Sequence, residues 1–267
     1  MLLKKIVWLF KRHPFLYLIR FKLLSKNTDP KSIETLDYNI TNGVKDIPKL
    51  FVDINDKIFC EGKPKSELEQ AKTISTWLYQ NIKGGPGLSE PSEKALEIML
   101  SGQGGVCSDM AQIFNNFCVI NNIRVREWGT TRIPFDKLYG GHSFNEIYCN
   151  TLKKWVLIDV SYCALFQFNN SIPISVDELY SKKEKVKIRH NFFSEVDAKL
   201  EQSVVKNYYH LDNVSFLVHN YSNKIYDTYL NRFKPFLPVF FIHFLVYIQR
   251  KSYRYLFPYN DFSKLFS

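Results

Sequence analysis

Between Ser66 and Ile82 the apolar residues Leu68, Ala71, Ile74, Leu78 and Ile82 recur every three or four positions, which predicts a helix with one buried face. Gly84-Gly85-Pro86-Gly87 ends it, a cluster that reads as a helix terminator. A second helix opens near Ser89 and Pro91 and turns Ala95, Ile98 and Met99 inward. After Gly102-Gln103-Gly104-Gly105-Val106, a third helix is predicted by the run Met110-Ala111-Gln112-Ile113-Phe114. The period then changes. Val125 to Gly129, the run after Gly141 through Tyr148, and Trp155 to Val160 read as strands, with Asn150 to Lys154 forming a hairpin turn between the last two.

The chain divides by composition into a basic amphipathic N-terminal segment (1–26), a central domain (27–168) and a mixed C-terminal extension (169–267). With 267 residues, of which 45% are hydrophobic and 16% aromatic, it can bury one good-sized core. The five cysteines include no C-x-x-C pair, so neither a zinc ribbon nor a complete disulfide framework is indicated, and a reducing compartment fits. His190, His210, His219 and His243 follow no metal-ligand pattern and read as surface or packing residues. No metal and no cofactor is expected.

Cys107 stands where glycine-rich chain gives way to the third helix. The first turn of a helix leaves backbone N–H groups without partners, and its positive dipole end favours thiolate over thiol. The same N–H groups can hold the oxyanion of an attacked carbonyl. Downstream, His142 enters one strand and Asp159 leaves its neighbour, so antiparallel pairing sets them side by side at one end of the sheet. Each then has a role: the Cys107 thiolate attacks, His142 takes and returns a proton, and Asp159 orients the imidazole. Asp109 is read as a partner of the helix dipole, Glu146 as a structural hydrogen-bond or ion-pair partner, and Cys118 as core. The loop 131–141, with Arg132, Asp136, Lys137 and Tyr139, is the expected source of substrate contacts. Gln103, Gly105, Tyr139 and Gly141 are the candidate substrate-binding positions.

These residues resemble the transglutaminase-like superfamily, papain-related cysteine enzymes widespread in bacteria. The glycine-led Cys107, His142 with Phe144 and Glu146, and Trp155 with Asp159 carry the resemblance, which spans roughly residues 65–165. It implies an α+β fold in which the nucleophile-bearing helix packs on an antiparallel sheet, here with helical N- and C-terminal extensions. It also implies acyl transfer or amide hydrolysis through a thioester and, taken more loosely, amide-linked modification of cell-surface polysaccharide. Val106 stands where glutamine-crosslinking members commonly carry Gln, so crosslinking is not implied. A second class stays open: a binding or scaffold protein at the membrane surface that keeps the fold without the chemistry.

The net charge of +10 raises nucleic acid as a partner, but the lysines and arginines are spread along the chain and no nucleic-acid motif appears. The run Lys182-Lys183-Glu184-Lys185 reads as a solvated face. Both ends point elsewhere. Met1 to Lys22 mixes Trp, Phe and Leu with basic residues, and Pro235 to Ile248 is apolar and followed by Arg250 and Lys251. Fourteen residues reach only about 21 Å as a helix, short of a ~30 Å hydrocarbon core. An anionic membrane surface is the expected partner of these ends, with packing on the core as the alternative. No export signal is read, so the expected location is cytoplasmic, peripheral on the inner membrane face.

Overall fold

The computed structural model describes residues 14–136, 138–169, 171–182, 187–195 and 198–266. Met1–His13 and the greater part of the 182–185 charge run lie outside them. Eight strands form one sheet in the order β1-β8-β7-β2-β3-β4-β5-β6. They are β1 (Ser25–Asn27), β2 (Val125–Arg132), β3 (His142–Cys149), β4 (Lys154–Asp159), β5 (Ala164–Phe168), β6 (Ile188–Phe192), β7 (Asn213–His219) and β8 (Arg254–Phe257). Neighbours run antiparallel except β1 and β8, which pair in parallel. The α+β architecture expected from the sequence is the one observed.

Helices α2 (Lys49–Ile58), α3 (Glu67–Asn81), α4 (Ser92–Leu100) and α5 (Cys107–Ile120) gather on one face. Ser66 caps α3, its side chain accepting the Glu69 N–H at 3.1 Å. Phe51, Leu78, Leu96, Phe114 and Phe117 meet Val125, Ile147, Val156 and Ile158 of the sheet, all buried. Each large side chain buried here contributes about 1.5–3 kcal/mol. The opposite face is covered too. Trp128, Phe144, Leu157 and Phe166 pack against Val176 and Leu179 of α6 (Val176–Lys182) and against Val204 and Tyr208. Helix α7 (Ala198–Val204) runs into a π-turn, Val205–Tyr209, which carries Tyr208.

Because both faces are covered, the central strands are nearly continuous runs of buried residues rather than alternating ones. The period-2 pattern still sorts the polar side chains. On β2 and β3, Glu127 and Asn145 are register partners on the α5 side, while His142 faces the other way with Phe144 and Glu146.

Residues 169–267 are not an appendage beside the core. They supply β6, β7 and β8, and β7 pairs with β2 over six registered positions from Glu127↔Val218 to Arg132↔Asn213. The described part of the N-terminal segment is also built in. Helix α1 (Pro14–Leu24) buries Phe21 among Phe216, Phe257 and Leu265, and Leu24 among Tyr226, Val246 and Tyr253. The remaining helices, α8 (Asn223–Phe233) and α9 (Val239–Ile248), pack on each other beside it. No helix among the described residues is long and apolar enough to cross a membrane.

Candidate active site

Cys107 is the first residue of α5. Its position is set by the loop before it. Gly105 donates its N–H to Pro86 O at 2.9 Å and accepts the Gly85 N–H at 2.8 Å, lacing this loop to the 84–87 turn. At φ +108° and with Met99 against the position of a would-be Cβ, Gly105 admits no side chain. Val106 then turns extended, and Asp109 closes the helix end by accepting the Val106 N–H at 2.9 Å and the Leu88 N–H at 3.2 Å. That is the helix-end role read for Asp109 in the sequence.

His142 and Asp159 meet across the ends of β3 and β4, with Nε2 and Oδ2 2.7 Å apart and both side chains buried. Cys107 stands close enough to His142 that each shifts the other's protonation. Asp159 is held by three more donors: the Ser161 N–H at 3.0 Å, the Tyr162 N–H at 3.1 Å and the Tyr208 hydroxyl at 2.6 Å. Tyr162 lies flat on the imidazole, ring centroids 4.6 Å apart and planes 7° from parallel. Its hydroxyl accepts from Asn207 Nδ2 at 2.7 Å.

The electrostatics follow from this packing. Burial opposes charge on His142, but the Asp159 carboxylate and the Cys107 sulfur overcome it and push the imidazole up to about 10. Burial likewise opposes a Cys107 thiolate, and the hydrogen bond and charge of His142, with the Ser143 N–H, bring the thiol below its ordinary value. The two shifts have one sense: the arrangement favours a thiolate beside an imidazolium more than isolated groups would.

The pair opens onto a cleft of about 490 Å³ lined by Val106, Cys107, Thr130, Gly140, Gly141 and His142, and continuing under α1, α8 and β8. Of the candidate substrate-binding positions, Gly141 lies in this wall. It has φ +139°, and a Cβ there would sit 2.7 Å from Thr130 O. The other three are elsewhere. Gly105 is buried behind the cysteine in the lacing just described. Gln103 is exposed, outside the cleft lining, with its N–H on Ile98 O. Tyr139 is buried beneath Arg132, whose guanidinium stands 4.2 Å from the ring centroid, and it too lies outside the lining. Arg132 and Asp136 pair with each other at 3.2 Å. Lys137 lies outside the described residues. Loop 131–141 therefore meets the cleft through Thr131, Gly140 and Gly141, with Arg132, Asp136 and Tyr139 spent on contacts with one another.

Glu146 is buried and accepts from Trp128 Nε1 at 2.6 Å and the Val176 N–H at 2.7 Å, with Arg126 at 3.5 Å, as expected of a structural partner. His243, by contrast, lines the cleft rather than the surface. Tyr162, Tyr208 and Asn207 had no signal in the sequence pattern. They come from loops and a π-turn whose approach to Asp159 depends on long-range packing. Tyr208→Phe removes one donor to the Asp159 carboxylate and should cost about 1.5–3 kcal/mol of stability. Urea denaturation checks this, and an unchanged midpoint would show that Tyr208 is not needed to hold Asp159.

Residues 55–160 match the family model of the transglutaminase-like superfamily, less than half of the chain. Over that segment the resemblance read from the sequence is shown. Among solved structures, one similar to this chain is a candidate cysteine protease from Cytophaga hutchinsonii, solved to 1.9 Å, at 22% identity and a TM-score of 0.33. The match covers 42% of this chain and 37% of that one. No curated protein matches the chain significantly.

Proposed function

We propose that this chain, transglutaminase-like over residues 55–160, is a cysteine-dependent enzyme that transfers or hydrolyses an acyl group through a thioester on Cys107. The observation that carries the reading is that Cys107 and His142 line one cleft of about 490 Å³, with the His142 ring bonded to the Asp159 carboxylate at 2.7 Å. In the first half-reaction the thiolate sulfur attacks a carbonyl carbon, and the tetrahedral oxyanion is received by backbone N–H groups at the start of α5. As the carbon–nitrogen or carbon–oxygen bond breaks, the His142 imidazolium gives its proton to the departing amine or alcohol. Water, or an amine or hydroxyl acceptor, then attacks the thioester and cedes its proton to His142, and the thiolate is released.

The test is an acyl-enzyme. A p-nitrophenyl acyl ester incubated with the chain should add the mass of its acyl group to the peptide bearing Cys107, and Cys107→Ala should carry no such adduct. Adduct formation on other residues at an equal rate in the variant would end the reading.

The membrane surface enters the proposal on separate grounds. Phe241, Phe244 and Ile248 share one face of α9 and are exposed, Ile248 by 60%. Phe236 is 82% exposed, and Leu23 of α1 lines the same shallow groove as Phe244. Exposed Lys22, Arg250 and Lys251 stand in sequence beside these apolar positions. Aromatic residues flanked by basic ones suit an anionic lipid surface. The chain should co-sediment with phosphatidylserine-containing vesicles and not with phosphatidylcholine alone. A Phe241→Ser, Phe244→Ser double variant should lose most of that binding; undiminished binding would sink the idea.

A further inference from the structure

Beyond Cys107 the cleft has a second chemistry, and nearly all of it comes from outside residues 55–160. Its far wall holds Arg20 with Tyr17, Tyr226, Tyr253 and Tyr255, and His243 from α9. Among the described residues no carboxylate is within ion-pair distance of Arg20, which shares this wall with the phenols. The Arg20 guanidinium carbon stands 5.8 Å from the Tyr17 ring centroid. His243 is kept neutral by burial and by the Arg20 charge, and its Nδ1 is buried without a hydrogen-bond partner.

A guanidinium enclosed by aromatic rings without a counter-ion is costly, because partial burial removes hydration that only an anion replaces well. The acids elsewhere in the cleft do not serve. Glu90 pairs with Lys234 and Asp109 caps α5. Glu127, buried against Asn115 on the α5 side, is pushed up to about 8 by burial and by the nearby Cys107 and Asp109, and so is largely neutral at pH 7. The cleft is therefore cationic at one end and nucleophilic at the other. Its volume of about 490 Å³ suits a small ligand that bridges the two.

We infer that Arg20, with the hydroxyls of Tyr253 and Tyr255, forms a subsite for an anionic group, carboxylate or phosphate, carried by the acyl substrate whose carbonyl meets Cys107. This names the substrate class for the proposed thioester chemistry and rests on that reading. Arginine is the side chain suited to such groups, since its planar fork donates two parallel hydrogen bonds to carboxylate or phosphate oxygens.

Direct binding tests the subsite without requiring turnover. Calorimetric titration of the full chain with glutarate, inorganic phosphate and the neutral isostere glutaramide should show heat for at least one anion and none for glutaramide. Tighter glutarate assigns the group as a carboxylate, and tighter phosphate as a phosphoryl ester. Arg20→Met should weaken anion binding about tenfold or more, and Arg20→Lys by less. Cys107→Ser should bind as the unaltered chain does, so loss of the acyl-enzyme and loss of the subsite are read separately. Equal affinity for glutarate and glutaramide, which needs no variant, would overturn the inference. So would the absence of any anion binding, or Arg20→Met binding unchanged.

Discussion

Iodoacetamide should alkylate Cys107 quickly well below the ~8.5 pKa of an ordinary thiol, and His142→Ala should slow that reaction by on the order of 10–100-fold near pH 6–7. The difference is one of thiolate population. An ordinary thiol is almost wholly protonated at that pH, whereas Cys107 is drawn below its usual range by the hydrogen bond and charge of His142. In the variant, burial and the Asp159 charge push the thiol up, opposed only by the Ser143 N–H. The upper limb of the profile is set by the imidazolium. His142 is raised to about 10, so its proton and the pairing it makes are fully present below the ~6.5 of a free histidine and are lost as pH rises through about 10. The stability gained from this pair should follow the same window. Equal alkylation of the two proteins between pH 5 and 8, read by mass spectrometry of the Cys107 peptide, would show that the histidine does not activate the sulfur.

Glu146→Leu should destabilise the fold by about 3–5 kcal/mol, the usual cost of removing one partner from a buried ion pair. The carboxylate is buried and ties β3 to two elements: β2, through Trp128 and the Arg126 guanidinium, and α6, through its first N–H. Leucine fills part of the volume and answers none of these donors. Arg126 keeps the Ile33, Glu34 and Leu36 carbonyls and its place 3.7 Å from the Trp155 ring centroid, so the variant should fold at low temperature. A fall in urea midpoint with unchanged slope would match this account. A midpoint within 0.5 kcal/mol of the parent, on the order of an ordinary surface change, would contradict it.

How far the sequence could be read depended on the distance between interacting residues. Helices α3, α4 and α5 and the β3–β4 hairpin are local, so apolar spacing, Ser66 and the glycines before Cys107 were enough to place them. Cys107, His142 and Asp159 could be brought together on paper because each lies at the end of an element whose pairing is nearly forced. Tyr208 and Asn207 could not, since a π-turn 49 residues beyond Asp159 has no periodic signature. Arg20 was invisible for a related reason. A basic residue among Tyr17, Ile19 and Phe21 reads as an amphipathic surface helix, and only the docking of α1 onto β7 and β8 turns it toward the cleft. Tyr139 and Gln103 are near His142 and Cys107 in sequence but outside the cleft lining, because nearness in sequence is a weaker guide than packing.

The insertion of β7 between β2 and β8 also constrains how the molecule comes into being. During synthesis the segment bearing Cys107, His142 and Asp159 leaves the ribosome before Asn213–His219 exists, and until then β2 has an open edge towards β7, with unpaired N–H and C=O groups. The nascent chain therefore holds Cys107 beside an unfinished sheet, with Tyr208 still unmade and the far wall of the cleft missing. The surroundings of Cys107 and the cleft are completed together, and only after residues past Tyr255 have emerged. A fragment ending near residue 160 should accordingly self-associate through β2, and chaperone engagement should be greatest while that edge waits for its partner.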